Sequence, residues 1–200
     1  MSQKFMVIRG ARIQQQMERE GILDEASTYQ ELERKTIAGF PNTRKRQHVV
    51  SPIQITQMEF VPAVPSNVLQ CNATAVSNNP EQDTPGPKTY YPQILFNGMT
   101  FEQESTPDNV TLKTANNKEV NVVPIQLSDL TCKVRCTCLD FYYRFAEYNY
   151  GDDSLLGKKP PPYQRKTTTR PDANPTKTPG ICKHVMAAIL KLRDSGLIVR

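Results

Sequence analysis

The chain has 200 residues and a formal net charge of +5, enough for one domain or two small ones, with a positive balance that permits nucleic-acid contact without requiring it. Sixteen prolines against nine glycines, no tryptophan and a mean hydropathy of −0.55 point to irregular chain around a small core, which commonly draws stability from a metal or from partner subunits. No apolar run is long enough for a membrane span or a signal peptide, and an odd count of five cysteines fits a metal site in a reducing compartment better than a disulfide framework.

In chain order, residues 1–50 read as a polar helical segment. Ile13 and Met17 stand four apart in a Gln/Glu/Arg-rich stretch stopped by Gly21. Thr28 and Glu31 form a capping box that opens a second helix through Leu32 and Ile37 to Gly39. Arg44-Lys45-Arg46 is a short basic run on a solvated loop, and His48 beside it has no ligand-type neighbour.

Residues 51–130 switch to strand patterns. Ile53, Ile55, Met58 and Phe60 lie in a run closed by Pro62, and residues 68–76 form another. "NNPEQDTPGPK" is a loop by composition. Asn97-Gly98 between apolar segments predicts a hairpin, as does "ANNKE" between residues 110–114 and 120–125. The expectation is an α+β chain: N-terminal helices, a small antiparallel sheet (sandwich or partial barrel), and a strand–helix module in residues 131–200. No Gly-rich phosphate loop or nucleophile elbow occurs. Cys71, alone in a strand pattern, is expected in the core.

The last segment carries the chemistry. Cys136 and Cys138, then Cys182 and His184, supply three thiolates and an imidazole, a full tetrahedral Cys₃His shell for zinc with no position open to a substrate. Polar and apolar residues alternate over 133–135, so a strand is expected to carry the first pair, roughly 6.6 Å apart on one face, with a modest bend that lets both reach one ion. Cys182 and His184, two apart, would lie roughly 200° apart within a helix, so they belong where the backbone turns into one. Pro179-Gly180 supplies the turn. Val185, Ala188, Ile189 and Leu192 recur at helical spacing behind the ligands, with Arg193 in the last turn and Gly196 as the cap. The competing readings are that Cys136 and Cys138 are packed thiols, or that Cys132, Cys136, Cys138 and Cys182 hold an iron–sulfur cluster, which leaves His184 without a role.

Between the ligand pairs lie residues 139–181, an insert of 43 positions. Phe141, Phe145 and Tyr148 predict a helix with an aromatic face, read as core in preference to a base-stacking platform. The remainder is Pro-rich and cationic. Ser154 to Arg193 holds nine Lys and Arg against Asp172 alone. Lys158, Lys159, Arg165, Lys166, Arg170 and Lys177 are candidates to contact phosphate or an acidic protein surface, against a plain solvated loop.

"VRCTCLDF" followed by "PGICKHVMAAILKL" resembles the SWIM zinc finger, Cys-x-Cys … Cys-x-His on a strand-to-helix layout. The resemblance covers the last third of the chain and implies Cys136, Cys138, Cys182 and His184 as zinc ligands. It departs in Leu139, where that family often has proline, and in the length of the insert. The whole chain also resembles structural proteins of tailed phages, which implies a virion component of neck, tail or baseplate, found in the virion and the host cytoplasm. Two functions follow as expectations: a non-catalytic, zinc-stapled assembly protein with other structural proteins as partners, or a DNA-binding accessory protein using the basic insert. Neither a membrane nor a small-molecule substrate is expected as a partner.

Overall fold

Thr28 opens a helix as its sequence requires. The Thr28 hydroxyl accepts from the Glu31 amide at 3.2 Å, and the Glu31 carboxylate accepts from the Thr28 amide at 2.9 Å. The computed structural model describes residues 26–41, 53–77, 86–114, 116–161 and 172–199. The helix expected over residues 12–20, the basic run at 44–46, His48, Arg165, Lys166 and Arg170 lie outside them. The capped helix, α1, spans Tyr29–Gly39 and buries Tyr29, Leu32 and Thr36.

Two antiparallel sheets follow, and neither closes into a barrel. The larger orders β1 (Ile53–Ala63), β2 (Val68–Ser77), β4 (Gln93–Asn97) and β8 (Cys132–Arg135), with β3 (Lys88–Tyr90) pairing to the far end of β2. The smaller orders β5 (Phe101–Glu102), β7 (Glu119–Val122) and β6 (Val110–Lys113). The fold is mixed α+β, as expected. In β1, one extra residue between Ile55 and Gln57 breaks the register against β2. That bulge explains the shift of apolar residues from odd positions (Ile53, Ile55) to even ones (Met58, Phe60): it flips which parity faces the core. β1 also runs on through Pro62, tolerated because β1 lies at the edge of its sheet.

One predicted hairpin forms and the other does not. Residues 110–122 fold back as β6 and β7, with Asn117 at φ +59° in the turn. Asn97-Gly98 makes a turn of the right local kind, Gly98 at φ +86°, but β5 pairs with β7 and not with β4. The Met99 amide bonds to the Asn67 carbonyl at 2.7 Å and the Met99 side chain is buried, so tertiary contacts carry the chain into the second sheet.

After β8 come α2 (Leu139–Arg144), α3 (Ala146–Gly151) and α4 (Lys183–Asp194). The aromatic helix predicted across 139–150 is thus broken at Phe145, although the Phe145 and Asn149 amides still reach back four residues to Phe141 and Phe145. Phe141, Phe145 and Asn149 face inward, while Tyr148 is half-buried. Ser154–Leu156 then runs beside β8, with Val134 as its parallel bridge partner, and buries all three residues. One hydrophobic cluster draws on Leu32, Phe96, Val134, Phe145 and Ile189, joining α1, the paired strands β4 and β8, the α2–α3 junction and α4. Cys71 and Cys132 belong to it.

The entry to α4 is held by backbone and side-chain polar groups together. The Gly180 amide donates to Asn149 Oδ1 at 2.8 Å, and Asn149 Nδ2 donates to the Gly180 carbonyl at 3.0 Å. The Ile181 amide donates to Thr36 Oγ1 at 2.8 Å, while that hydroxyl donates to the Leu32 carbonyl at 2.8 Å. A Cβ on Gly180 would stand 2.4 Å from Thr36 Oγ1 and 2.8 Å from Phe145 Cε1. Gly180→Ala is therefore expected to cost about 1–3 kcal/mol by overpacking. Thr36→Val, which strands the buried Ile181 amide, is expected to cost about 1–3 kcal/mol; equilibrium denaturation of both variants reads these values.

Candidate metal centre

Cys136, Cys138, Cys182 and His184 come together, all four buried, with one donor atom from each within 4.8 Å of every other. The Nδ1 of His184 stands 3.9 Å from Cys136 Sγ and 4.0 Å from Cys182 Sγ. A tetrahedral zinc shell with bonds of about 2.3 Å to sulfur and about 2.0 Å to nitrogen has S···N edges of about 3.6 Å, so these two distances close by a few tenths of an ångström, and the widest donor separations, within 4.8 Å, by up to about an ångström, to seat an ion.

The first pair is not carried by the strand. β8 ends at Arg135, Cys136 follows it, and Cys138 caps α2 with its sulfur accepting from the Phe141 amide at 3.3 Å. The physical reason is the edge length: an extended Cys-x-Cys spreads its sulfurs to roughly 6.6 Å, too wide for one ion. The turn at Thr137 closes the gap, and its hydroxyl accepts from the Tyr91 amide at 3.0 Å, tying the turn to the β3–β4 connection. The second pair sits as expected. Cys182 is extended (φ −87°, ψ 166°) at the cap of α4, and His184 lies in the helix's first turn. Val185, Ala188, Ile189 and Leu192 are buried behind it, and Gly196, at φ +80°, closes the helix by donating to the Arg193 carbonyl at 3.0 Å.

Cys132 stands apart from this group, so the four-cysteine cluster is not assembled. It occupies the start of β8, its amide bonded to the Ser27 carbonyl at 3.1 Å, and extended backbone keeps it roughly 13 Å along the chain from Cys136. Of the basic candidates, Lys158 and Lys177 are exposed, and Lys159 pairs with Glu147 at 2.8 Å while lying over the Tyr150 ring at 4.9 Å.

Residues without a sequence signal complete the site. Tyr90 stacks on the His184 ring with centroids 4.2 Å apart. Thr36, Asn149 and Gly180 fix the approach of Cys182. Pro-Gly reads as a turn, but nothing in its neighbours signals that Gly180 is needed for close packing.

The electrostatics are those of three thiols sharing one charge. Hydrogen bonds from Cys136 and then Cys182 hold the Cys138 thiol far below its usual range, with His184 adding to the effect. The Cys136 thiol is pushed up, first by its bond to Cys138. Burial, then the neighbouring sulfurs, pushes Cys182 up as well. Burial, then the Coulombic effect of Cys138 and of Cys136, raises Tyr90. A dication would draw the remaining protons off and replace sulfur–sulfur repulsion with three metal bonds.

Comparisons of the chain with protein-family models, with curated proteins and with solved structures return no match. The class of site is therefore defined by its own geometry: a buried Cys₃His group that can hold a metal ion, with a donor set consistent with zinc.

Cys138→Ser and His184→Ala are expected to abolish stoichiometric metal binding, and chelation of the wild type to lower Tm by at least about 10 °C, read by elemental analysis and thermal melts. Zinc binding at pH 7 should release protons from the buried thiols, measurable by titration calorimetry in buffers of different ionisation enthalpy. For the metal-free chain the pH dependence has a definite sign. Cys71, Cys132, Cys136 and Cys182 all have raised values in the fold. Above the ordinary thiol pKa of about 8.5 the unfolded chain loses protons that the folded chain keeps, so Tm in chelator should fall as pH rises through 9 to 10.

Proposed function

We propose that the chain is a non-catalytic assembly protein whose C-terminal third is a SWIM-type zinc finger with a long insert, and that it serves as a virion component of a tailed phage. The observation that carries the reading is the closure of the donor group: four protein ligands, all buried, leave an ion no position for water or substrate. The ligand order Cys-x-Cys … Cys-x-His, with a strand before the first pair and an apolar helix after the second, supports the finger type. Leu139 and the 43-residue spacing remain its departures from that pattern. The metal's work is architectural, since it fastens the end of β8 to the start of α4 across the whole insert.

Elemental analysis of the purified chain should return one zinc per molecule. The protein should be recovered in purified particles and show no affinity for duplex DNA at moderate salt. Absence of stoichiometric metal would overturn the staple. A DNA affinity that drops by orders of magnitude between low and moderate salt would move the reading to a DNA-binding accessory protein using the basic insert.

A further inference from the structure

His184 presents its two ring nitrogens unequally. Nδ1 stands 3.9 Å from Cys136 Sγ and 4.0 Å from Cys182 Sγ, whereas Nε2 is buried and has no hydrogen-bond partner among the described residues. A metal-binding histidine ordinarily donates from its second nitrogen to a carboxylate, a carbonyl or water, and that bond fixes both the tautomer and the turn of the ring. With no acceptor at Nε2 among the described residues, another contact has to set the ring. The torsion about Cβ–Cγ is soft and roughly two-fold, and a half-turn would carry carbon Cδ2 into the place of Nδ1. A ring so turned offers an ion three sulfurs and a carbon.

The Tyr90 ring is that contact. It lies over the imidazole with centroids 4.2 Å apart and planes 33° apart, closer than the roughly 4.5–7 Å usual for aromatic pairs, so the imidazole cannot turn without displacing it. Tyr90 is itself fixed. It closes β3 opposite Ala75 of β2, and two residues on, the Pro92 carbonyl accepts from the Ala73 amide at 2.9 Å. Between these anchors the Tyr91 amide donates to Thr137 Oγ1 at 3.0 Å, and Thr137 is the residue between Cys136 and Cys138. Consecutive residues thus touch both ligand pairs: Tyr90 the imidazole of the second, Tyr91 the turn of the first. Neither contact uses an atom that would bind metal.

We infer that Tyr90 and Tyr91 form the outer clamp of the metal centre, with Tyr90 the positioning residue that holds His184 as an Nδ1 ligand by stacking in place of a hydrogen bond to Nε2. Tyr91, through Thr137, holds the Cys136–Cys138 turn on the same support. This rests on the metal-staple reading above and adds which atom of His184 binds and what sets the strength of the site. The Tyr90 ring face does this work; its hydroxyl has no part in it.

The test titrates the full-length chain with zinc in competition with a chromogenic chelator, and a long-range proton–nitrogen correlation spectrum of the zinc-loaded chain reads the state of each ring nitrogen of His184. The expected spectrum has the metal on Nδ1 and the proton on Nε2. Tyr90→Phe keeps the ring and should bind zinc within about twofold of the wild type. Tyr90→Leu keeps an apolar side chain but removes the ring face, and should weaken zinc binding about 10- to 100-fold. Thr137→Val, an exposed change, should weaken it about fivefold, the worth of one net hydrogen bond. Metal on Nε2, wild-type affinity in Tyr90→Leu or Thr137→Val, or a loss in Tyr90→Phe as large as in Tyr90→Leu would overturn the inference. Should Tyr90→Leu not fold, the nitrogen assignment and the Thr137→Val constant decide it. A wild-type chain that binds no zinc removes the staple and the clamp together; a wild-type chain that binds one zinc as tightly as its variants removes the clamp and leaves the staple standing.

Discussion

Three sulfurs and one imidazole nitrogen, supplied by two segments with 43 residues between them, converge on a point from which water is excluded. The rest of the C-terminal structure depends on that convergence, because metal–ligand bonds are short and directional. Left to itself, a cluster of buried thiols is electrostatically poor: burial and the neighbouring sulfurs push Cys182 up, while hydrogen bonds from Cys136 and Cys182 pull Cys138 down. A dication converts that frustration into cohesion. The fold accordingly invests in positioning the two ligand pairs by means that do not involve the ion.

Those means are polar and buried. Thr36 on α1 and Asn149 on α3 hold the two residues before Cys182 through three hydrogen bonds, and the Thr36 hydroxyl is itself oriented by donating to the Leu32 carbonyl. Each group would be costly unpaired at that depth, so the segment has one low-energy path into α4. On the other side, Thr137 is fastened to the Tyr91 amide, and β8 is fixed by pairing with β4 and by Ser154–Leu156 along its outer edge. The N-terminal helix, the main sheet and the C-terminal helix thereby share one core, with Thr28 bridged to Thr131 and Ile125 to Ile198.

Within the insert, α2 and α3 bury Phe141, Phe145 and Asn149, and Leu155 and Leu156 pack at the edge of the sheet.

Much of the local structure was legible from residue type and spacing. The capping box at Thr28 and Glu31, the start of α4 at Cys182, its apolar face and its Gly196 cap follow from backbone hydrogen-bonding rules that act over a few residues. The four ligands were legible because soft donors in that order have few other uses. The β1 bulge was written in the parity change between Ile55 and Met58 but could be read as a bulge only against the register of β2. Tertiary structure alone decided the rest: that Asn97-Gly98 turns the chain into a second sheet, that the first cysteine pair lies beyond the strand, that Cys132 stays in the core, and that Gly180 must be glycine because Thr36 and Phe145 occupy the space of a side chain. The reason is common to all four. Each outcome is set by atoms distant in sequence competing for the same volume or the same hydrogen bond, and a one-dimensional pattern carries no record of which distant atoms those are.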